Sequence, residues 1–295
     1  MLKNQIAAIV VTYDRLTLLQ RVVNGLLNQT YKIDKIIIVN NSSSDGTKEW
    51  LSKLMKENSY ILVLEQENLG SSGGQYTGGK AAYDMGYEWI WQMDDDVIPR
   101  PDCLEKLLKF ATNSLVCSPI KITNENKLYF GVDIFKLNMT NPFKSIWRQL
   151  LSKNIYEQNK TFIPIEGFTL EGPLFHREML EKVGFVEKNF FIYADDTEYS
   201  IRLLKCGIKL GIVKDAIIDR LLPSPVLENN NLFDWKTYYI IRNLIAIDVL
   251  HGNALTRIVR PWGYFLTWLC RCKNVNNIKT TIKAFINGYF YKSNN

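Results

Sequence analysis

Trp89-Ile90-Trp91-Gln92-Met93-Asp94-Asp95-Asp96 carries an apolar segment straight into three consecutive carboxylates. Asp side chains at the end of a buried segment are costly unless a positive group meets them. A divalent cation is the natural counter-charge, and with it an anionic substrate such as a nucleotide diphosphate. Alternate residues of an extended segment share a face, so Asp94 and Asp96 are expected on one side and Asp95 on the other.

Upstream, three segments have the same form. Residues 6–13 are a continuous apolar run with a polar end, as in a buried parallel strand. Residues 34–41 contain Lys35-Ile36-Ile37-Ile38-Val39 and lead into Asn40-Asn41-Ser42-Ser43-Ser44-Asp45-Gly46-Thr47, a turn rich in helix-capping residues. Residues 60–66 form the third, followed by Glu67-Asn68-Leu69-Gly70-Ser71-Ser72-Gly73-Gly74, which is expected to be a flexible loop. Helices are expected between the strands. Leu16, Leu19, Val23, Leu26 and Leu27 fall on one helical face, a second helix follows Thr47, and a third spans 75–86.

This alternation implies an α/β fold with a right-handed, mostly parallel sheet covered by helices on both faces. In such sheets ligands bind outside the carboxyl ends of the strands. The polar clusters at 12–15, 40–47, 68–74 and 94–96 are therefore expected to converge on one edge. Glycines in the third cluster are expected to let the backbone approach a phosphate or sugar.

Farther along, Leu104, Leu107, Leu108 and Ala111 mark an amphipathic helix, and 115–135 has strand character around Ile120, Ile122, Tyr129 and Phe130. Residues 138–160 are polar and are expected to be irregular. Strand character resumes over 162–174, and a short helix covers 177–183. The second acidic cluster, Asp195-Asp196-Thr197-Glu198, stands at a helix entry, where exposed N–H groups favour carboxylates. Any of Asp195, Asp196 and Glu198 is a candidate general base, and simple helix capping is the plain alternative. A strand is expected near 209–218.

The chain's 46% hydrophobic and 22% charged residues are those of a globular protein with a substantial core. Its net charge of +6 is uneven: residues 251–295 hold seven Lys or Arg and no Asp or Glu. A basic, aromatic-rich end suggests an anionic partner, a membrane surface or nucleic acid. Five cysteines without CxxC spacing read as reduced thiols of an intracellular protein. The N-terminus runs directly into a strand without a signal-peptide pattern, and no apolar run is long enough to span a membrane. The glycine-rich segment lacks the G-x-G-x-x-G and P-loop spacings, which argues against dinucleotide and ATPase chemistry. His176 and His251 have no companion histidine, which argues against a His-rich metal site or a Ser-His-Asp triad.

Taken together, Ile9-Val10-Val11-Thr12-Tyr13-Asp14-Arg15, the Ile38–Thr47 turn sequence, Asn68-Leu69-Gly70, Asp94-Asp95-Asp96 and Asp195-Asp196-Thr197-Glu198 resemble, in order and spacing, the bacterial family 2 glycosyltransferases of GT-A fold. Within that family the Gly-Ser-Ser-Gly-Gly and Asp-Asp-x-Glu segments are similar to those of galactofuranosyltransferases and their rhamnosyltransferase relatives. The resemblance implies inverting transfer from a nucleotide sugar, UDP-galactofuranose first and dTDP- or other UDP-hexoses as alternatives. It implies that Thr12, Tyr13, Arg15 and Asn41 line the nucleoside pocket, with Asn68, Gly73 and Gly74 also on the donor. Asp94 and Asp96 are expected to hold Mn²⁺ or Mg²⁺ on the diphosphate, with Asp95 near the ribose or sugar. Asp196 matches the family's base, and Asp195 and Glu198 are supporting groups that orient the acceptor or hold Arg202. Many relatives carry a metal-binding His where this sequence has Asp219-Arg220. Asp219 is the expected third ligand, or Arg220 neutralises part of the diphosphate charge.

The expected organisation is a GT-A catalytic domain over 1–232, with a nucleotide half at 1–100 and an acceptor half at 101–232, and a helical region at 233–295. The acceptor is expected to be a glycan or a lipid-linked glycan of a surface polysaccharide, and nucleic acid is not an expected partner. The site of action is then the cytoplasm, at the inner face of the cell membrane if the C-terminal region binds lipid and is not only a packed cap. Tyr238, Tyr239, Arg242 and Asn243 are expected to contribute to the acceptor site. A nucleotidyltransferase would also use Asp-held metal on a parallel sheet, but the 12–15 turn lacks the glycines such an enzyme needs. A third reading is a non-enzymatic scaffold of a biosynthetic complex.

Overall fold

Strand β1 (Ile6–Thr12) is buried along its whole length and forms the centre of the sheet. It pairs in parallel with β2 (Lys35–Asn40) and β4 (Trp89–Asp94), and β3 (Ile61–Glu65) extends the sheet beyond β2. Alternate side chains of β1 enter two different cores. Ile6, Ala8 and Val10 pack with Leu19 and Trp91 on one face, and Ala7 and Ile9 pack with Phe175 and Tyr199 on the other. The continuous apolar runs in the sequence have this cause, because both faces of a parallel sheet are covered. The computed structural model describes residues 5–123, 127–129, 132–157, 160–222 and 233–293.

Helices α1 (Leu16–Leu27), α2 (Thr47–Glu57) and α3 (Gly70–Asp84) connect the first four strands. The start of α3 corrects the expected loop. Ser71, Ser72, Gly73 and Gly74 are helical, and their small size has a packing reason. A Cβ at Gly74 would lie 2.3 Å from a Val11 methyl, and one at Gly78 would lie 2.4 Å from an Ile9 methyl. The helix can lie against β1 only because these side chains are missing.

In the second half, β5 (Val97–Pro99), α4 (Cys103–Leu108), β6 (Leu115–Ile122), β9 (Phe162–Ile165), β10 (Leu174–His176) and β11 (Lys209–Arg220) complete a nine-stranded sheet. Its order is β3-β2-β1-β4-β10-β6-β11-β5, with β9 also on β11. β10 runs antiparallel to both β4 and β6. The segment expected to be irregular, 138–160, holds β8 (Trp147–Leu150), which forms a hairpin with the preceding β7 (Ile134–Leu137), then α5 (Lys153–Tyr156). A fully buried ion pair, Lys121 Nζ to Asp133 Oδ1 at 2.8 Å, ties the start of this hairpin to β6. Phe130, expected in a strand, lies outside the described residues.

Short helix α6 (Arg177–Val183) follows β10, and α7 (Asp195–Lys205) carries the second acidic cluster. Three longer helices close the chain: α8 (Thr237–His251), α9 (Ala254–Cys270) and α10 (Val275–Tyr289). α8 is buried on most sides and bears two fully buried polar residues, Asn243 and Asp248. Asp248 Oδ1 accepts from Arg260 Nη1 of α9 at 2.9 Å, and Arg260 Nη2 donates to the carbonyls of Asn138 and Asn141 at 2.8 and 3.0 Å. Removing one partner of such a pair strands a buried charge, at about 3–5 kcal/mol.

Candidate active site

Thr12 pairs with Asn40, and Val11 pairs with Asp94, so β1, β2 and β4 end level with one another. The turns that follow them meet at one edge. With the first turn of α3, the β7–β8 hairpin and residues 191–197, they enclose a cavity of about 760 Å³. Thr12, Tyr13, Arg15, Asn41, Asn68, Asp94, Asp95, Asp96, Asp195 and Asp196 all line it.

The three aspartates have separate partners. Asp95 accepts from Thr12 Oγ1 at 2.7 Å and from Arg15 Nη1 at 3.0 Å. Asp96 Oδ2 lies 3.4 Å from the same Nη1, while its Oδ1 is buried with no hydrogen-bond partner. Asp94 Oδ1 accepts from Ser71 Oγ at 3.2 Å and Gln75 Nε2 at 3.1 Å, both from α3. Burial pushes the Asp94 carboxyl well above the usual carboxylate range, and the charges of Asp96, Glu171, Asp95 and Asp195 push it further. Burial also raises Asp95, against the pull of Arg15.

Asn41 and Asn68 act on the turn between β3 and α3. Asn41 Nδ2 donates to the Gly70 carbonyl at 3.1 Å and its Oδ1 accepts from Gln66 at 2.7 Å, while Asn68 Oδ1 accepts from the Gly70 N–H at 3.0 Å. Tyr13 is exposed at the rim.

Gly73, Gly74, Asp219 and Glu198 are not on the cavity wall, nor are Tyr238, Tyr239, Arg242 and Asn243 of the expected acceptor site. Gly73 and Gly74 are enclosed in α3, where their missing side chains make room for Leu69 and Val11 rather than for a ligand. Asp219 is turned away: its carboxylate accepts from Arg100 Nε at 3.1 Å and Nη2 at 2.9 Å. The structure therefore does not bring Asp219 to the triplet as a third ligand. Its neighbour Arg220 pairs in the strand with Val97, directly after Asp96, and Arg220 Nη2 donates to Glu171 at 3.0 Å. Glu198 lies behind the wall, bound by Arg202 at 2.8 Å and by His251 Nε2 of α8 at 2.9 Å. Its partners hold it below the usual range in spite of burial. Of the two roles expected for Glu198, holding Arg202 is the one the contacts support.

Apart from Trp147, which begins β8, the residues that sequence reading missed come from irregular segments. Trp147, Thr169, Leu170, Glu171, Phe191 and Trp235 line the cavity, and no periodic pattern marks them. Glu171 is buried, and its Oε2 has no hydrogen-bond partner. Six carboxylates line this one cavity: Asp94, Asp95, Asp96, Glu171, Asp195 and Asp196. The cations on the described wall are Arg15 and Lys236, with Arg220 behind Glu171.

That charge deficit, with the partnerless Asp96 oxygen, fits a hard divalent cation. Among the described residues no three His, Cys, Asp or Glu side chains form a ready-made metal site. Two carboxylates completed by substrate phosphates are an ordinary Mg²⁺ or Mn²⁺ arrangement, so the donor set is compatible.

Asp195 and Asp196 begin α7 and line the same cavity. Asp196 Oδ1 accepts from its neighbour's N–H, that of Thr197, at 2.6 Å. Burial, then the charge of Asp195, pushes the Asp196 carboxyl up to about 8. The backbone leading to it is strained: Phe191, Tyr193 and Ala194 have φ of 65°, 76° and 62°. Asn243 of α8 holds this approach by donating Nδ2 to the carbonyls of Phe190, Ile192 and Tyr193 at 3.1, 2.9 and 2.7 Å. Arg242 Nη2 donates to the carbonyls of Asn189 and Phe190 at 2.8 and 2.9 Å. From the other side the Ser72 N–H donates to the Phe191 carbonyl at 3.2 Å. Gly70, at φ +73°, comes so close that a Cβ there would lie 2.0 Å from the same oxygen. Arg242 and Asn243, expected at the acceptor site, thus position the loop before the acidic pair.

The sequence profile described as glycosyl transferase family 2 matches residues 7–184. The chain is 27% identical over 216 residues to the galactofuranosyltransferase GlfT1 of Mycolicibacterium smegmatis, covering 70% of this chain and 67% of that one. It is 24% identical over 254 residues to the dTDP-rhamnosyl transferase RfbF of Shigella flexneri, covering 83% and 80%. Among solved structures, GalNAc-T7 with UDP, GalNAc and Mn²⁺ superposes with a TM-score of 0.67 at 11% identity over 95% of this chain. This chain spans only about half (54%) of the GalNAc-T7 chain. The mannosyltransferase PcManGT of Pyrobaculum calidifontis, in complex with GDP-Man and Mn²⁺, superposes with a TM-score of 0.57 at 15% identity, covering 98% and 88%. These likenesses identify the fold as GT-A, with a mostly parallel sheet and C-terminal helices.

Proposed function

The chain belongs to glycosyl transferase family 2, and from that premise we propose that it is an inverting enzyme acting on a nucleotide diphosphate sugar. The acceptor in this reading is a glycan or lipid-linked glycan, and the activity belongs to surface polysaccharide synthesis. The observation that carries the reading is that Asp94–Asp96 and Asp195–Asp196, about a hundred residues apart in sequence, line one cavity. A single-displacement transfer needs two such acidic centres, one at the leaving diphosphate and one at the attacking hydroxyl.

In this mechanism Arg15 and the polar 12–15 turn hold the nucleotide, and Asp95 keeps Arg15 and Thr12 in place. Asp94 and Asp96 would hold Mn²⁺ or Mg²⁺, which when bound neutralises the charge of the departing diphosphate. Asp196 takes the proton from the acceptor hydroxyl. The acceptor oxygen then forms its bond to the anomeric carbon from the face opposite the diphosphate, and the bond from that carbon to the diphosphate oxygen breaks. Configuration inverts because there is one displacement. Asp195 and the clamp from Asn243 fix where Asp196 stands. Glu171, on the same wall with its Oε2 free of partners and Arg220 behind it, is suited to a hydroxyl of the transferred sugar. We place the catalytic unit in residues 1–232 and treat 233–295 as the region that supports its acceptor side.

The galactofuranosyl and rhamnosyl transferase relatives favour UDP-galactofuranose as donor, with dTDP-rhamnose second. A panel of nucleotide sugars, read by thermal stabilisation and by release of the nucleotide, tests both. One donor that stabilises the protein in the presence of Mn²⁺ and is turned over supports the reading. No stabilisation by any nucleotide sugar or nucleotide diphosphate overturns it.

A further inference from the structure

Two exposed apolar stripes are left over from the packing of the C-terminal helices. On α9, Leu255, Ile258, Trp262 and Leu266 recur at helical spacing and are 46–57% exposed. On α10, Ile278, Ile282 and Ile286 recur four residues apart and are 38–47% exposed. The stripes join, because the Trp262 ring of α9 lies 4.7 Å from the Phe285 ring of α10. Large aliphatic side chains in a contiguous exposed face mark an interaction surface.

The charge around this face identifies its occupant. From residue 251 to the end the sequence has seven Lys or Arg and no carboxylate. One of them, Arg260, is buried on Asp248, which leaves Arg257, Arg271, Lys273, Lys279, Lys283 and Lys292 at the surface. Two copies paired through this face would oppose like charges with no acid to compensate. A bilayer with anionic headgroups accepts both features: the apolar stripe enters the acyl boundary and the cations meet phosphate. No described helix is long and apolar enough to cross a membrane, so the face suits a helix pair lying in the interface.

We propose that the joined outer faces of α9 and α10 dock the protein on an anionic lipid surface. The occupant is a lipid bilayer, and the docking does not depend on the transferase reading. If both hold, α8 connects them, because it supports the two docking helices from below and holds the 190–193 backbone with Asn243.

The test is flotation of the full chain with vesicles of phosphatidylcholine alone or of phosphatidylcholine with phosphatidylglycerol, without donor or acceptor. The protein is expected to float with the anionic vesicles and to be released by high salt. The double substitution Ile258→Glu/Ile282→Glu is expected to lower partitioning at least about tenfold, as is Lys279→Glu/Lys283→Glu. All four side chains are exposed, so an unchanged melting temperature is expected and confirms that the fold persists. Equal flotation with neutral vesicles overturns the proposal, as does flotation unaffected by both double substitutions. A wild-type dimer that Ile258→Glu/Ile282→Glu dissolves, with no flotation, assigns the face to a second copy and also overturns it. Nucleotide binding in the same samples reads the transferase function separately.

Discussion

One guanidinium nitrogen, Arg15 Nη1, lies 3.0 Å from Asp95 Oδ1 and 3.4 Å from Asp96 Oδ2, spanning two neighbouring carboxylates of the triplet. Arg15 comes from the turn after β1 and the aspartates from the end of β4, so the contact fastens two strand ends together. Arg15 is nearly half exposed, which limits its worth to stability but leaves it free to touch a ligand. Arg15→Ala is expected to weaken UDP binding about tenfold in calorimetry while the melting temperature moves little. Unchanged UDP affinity would remove Arg15 from the nucleotide site.

Asp196 is expected to be the base. Asp196→Asn should reduce turnover by about 10²–10⁴ and leave nucleotide affinity within a few-fold. The pH dependence has a definite sign. The folded carboxyl is raised to about 8 by burial and by Asp195, and only its ionised form accepts a proton. In the free enzyme kcat/KM should therefore rise with pH and level off near that value, as a property of the Asp195–Asp196 pair. A profile flat from pH 6 to 9 would sink the assignment, as would an active Asp196→Asn protein.

Asp94 gives a stability prediction in the opposite sense to most catalytic substitutions. Its folded carboxyl is raised, so its contribution to stability is present at low pH and is lost as pH rises through the folded value. At neutral pH without metal, Asp94→Asn removes the cost of keeping a titratable carboxyl buried beside other carboxylates, and it keeps an oxygen for Ser71 and Gln75. The metal-free variant should melt higher than wild type, while the Mn²⁺-dependent gain in UDP affinity disappears. A lower melting temperature together with intact Mn²⁺ dependence would refute both halves.

Gly74 separates packing from ligand binding. A Cβ there meets a Val11 methyl at 2.3 Å, within the core against β1. Gly74→Ala is expected to cost about 1–3 kcal/mol from overpacking, offset in part by the better helix propensity of Ala. Chemical denaturation measures it. A variant of wild-type stability with weakened UDP binding would return this glycine to the donor site.

Asn243→Ala would take the Nδ2 donor from the Ile192 and Tyr193 carbonyls, at up to about 1–3 kcal/mol for each group left unsatisfied, while the Phe190 carbonyl keeps Arg242. As a positioning residue it should lower kcat more than it raises the donor KM. Equal changes in both would indicate only a general loss of folded enzyme.

The parallel half was legible because its signals are local. Buried strands read as apolar runs, and each ends in a polar turn, so Thr12, Asn41 and Asp94 could be placed on one edge before any coordinates. The glycine-rich segment misled for a physical reason. Glycine is a poor helix former in isolation, and here close contact with β1 outweighs that preference. Asp219 and Arg220 illustrate a second obstacle. Neighbours on a strand face opposite ways, and the register of β11 shifts between Val213 and Ile217, so residue order alone does not say which faces the site. Glu171 and Trp147 were missed because they enter from segments whose position depends on contacts made elsewhere in the chain.

The Asn243 clamp bears on how such enzymes can be recombined. The backbone leading to Asp196 takes its shape from α8, and α10 in turn approaches α8 so closely that a Cβ at Gly288 would lie 2.6 Å from the Arg242 carbonyl. The C-terminal helices are thus not a cassette that can be cut off or exchanged at residue 233. A chimera with a relative would have to carry residues 189–194, α8 and α10 together, a unit that is discontinuous in sequence. Shuffling at the apparent boundary would move the tail and leave behind the backbone it was shaped to hold.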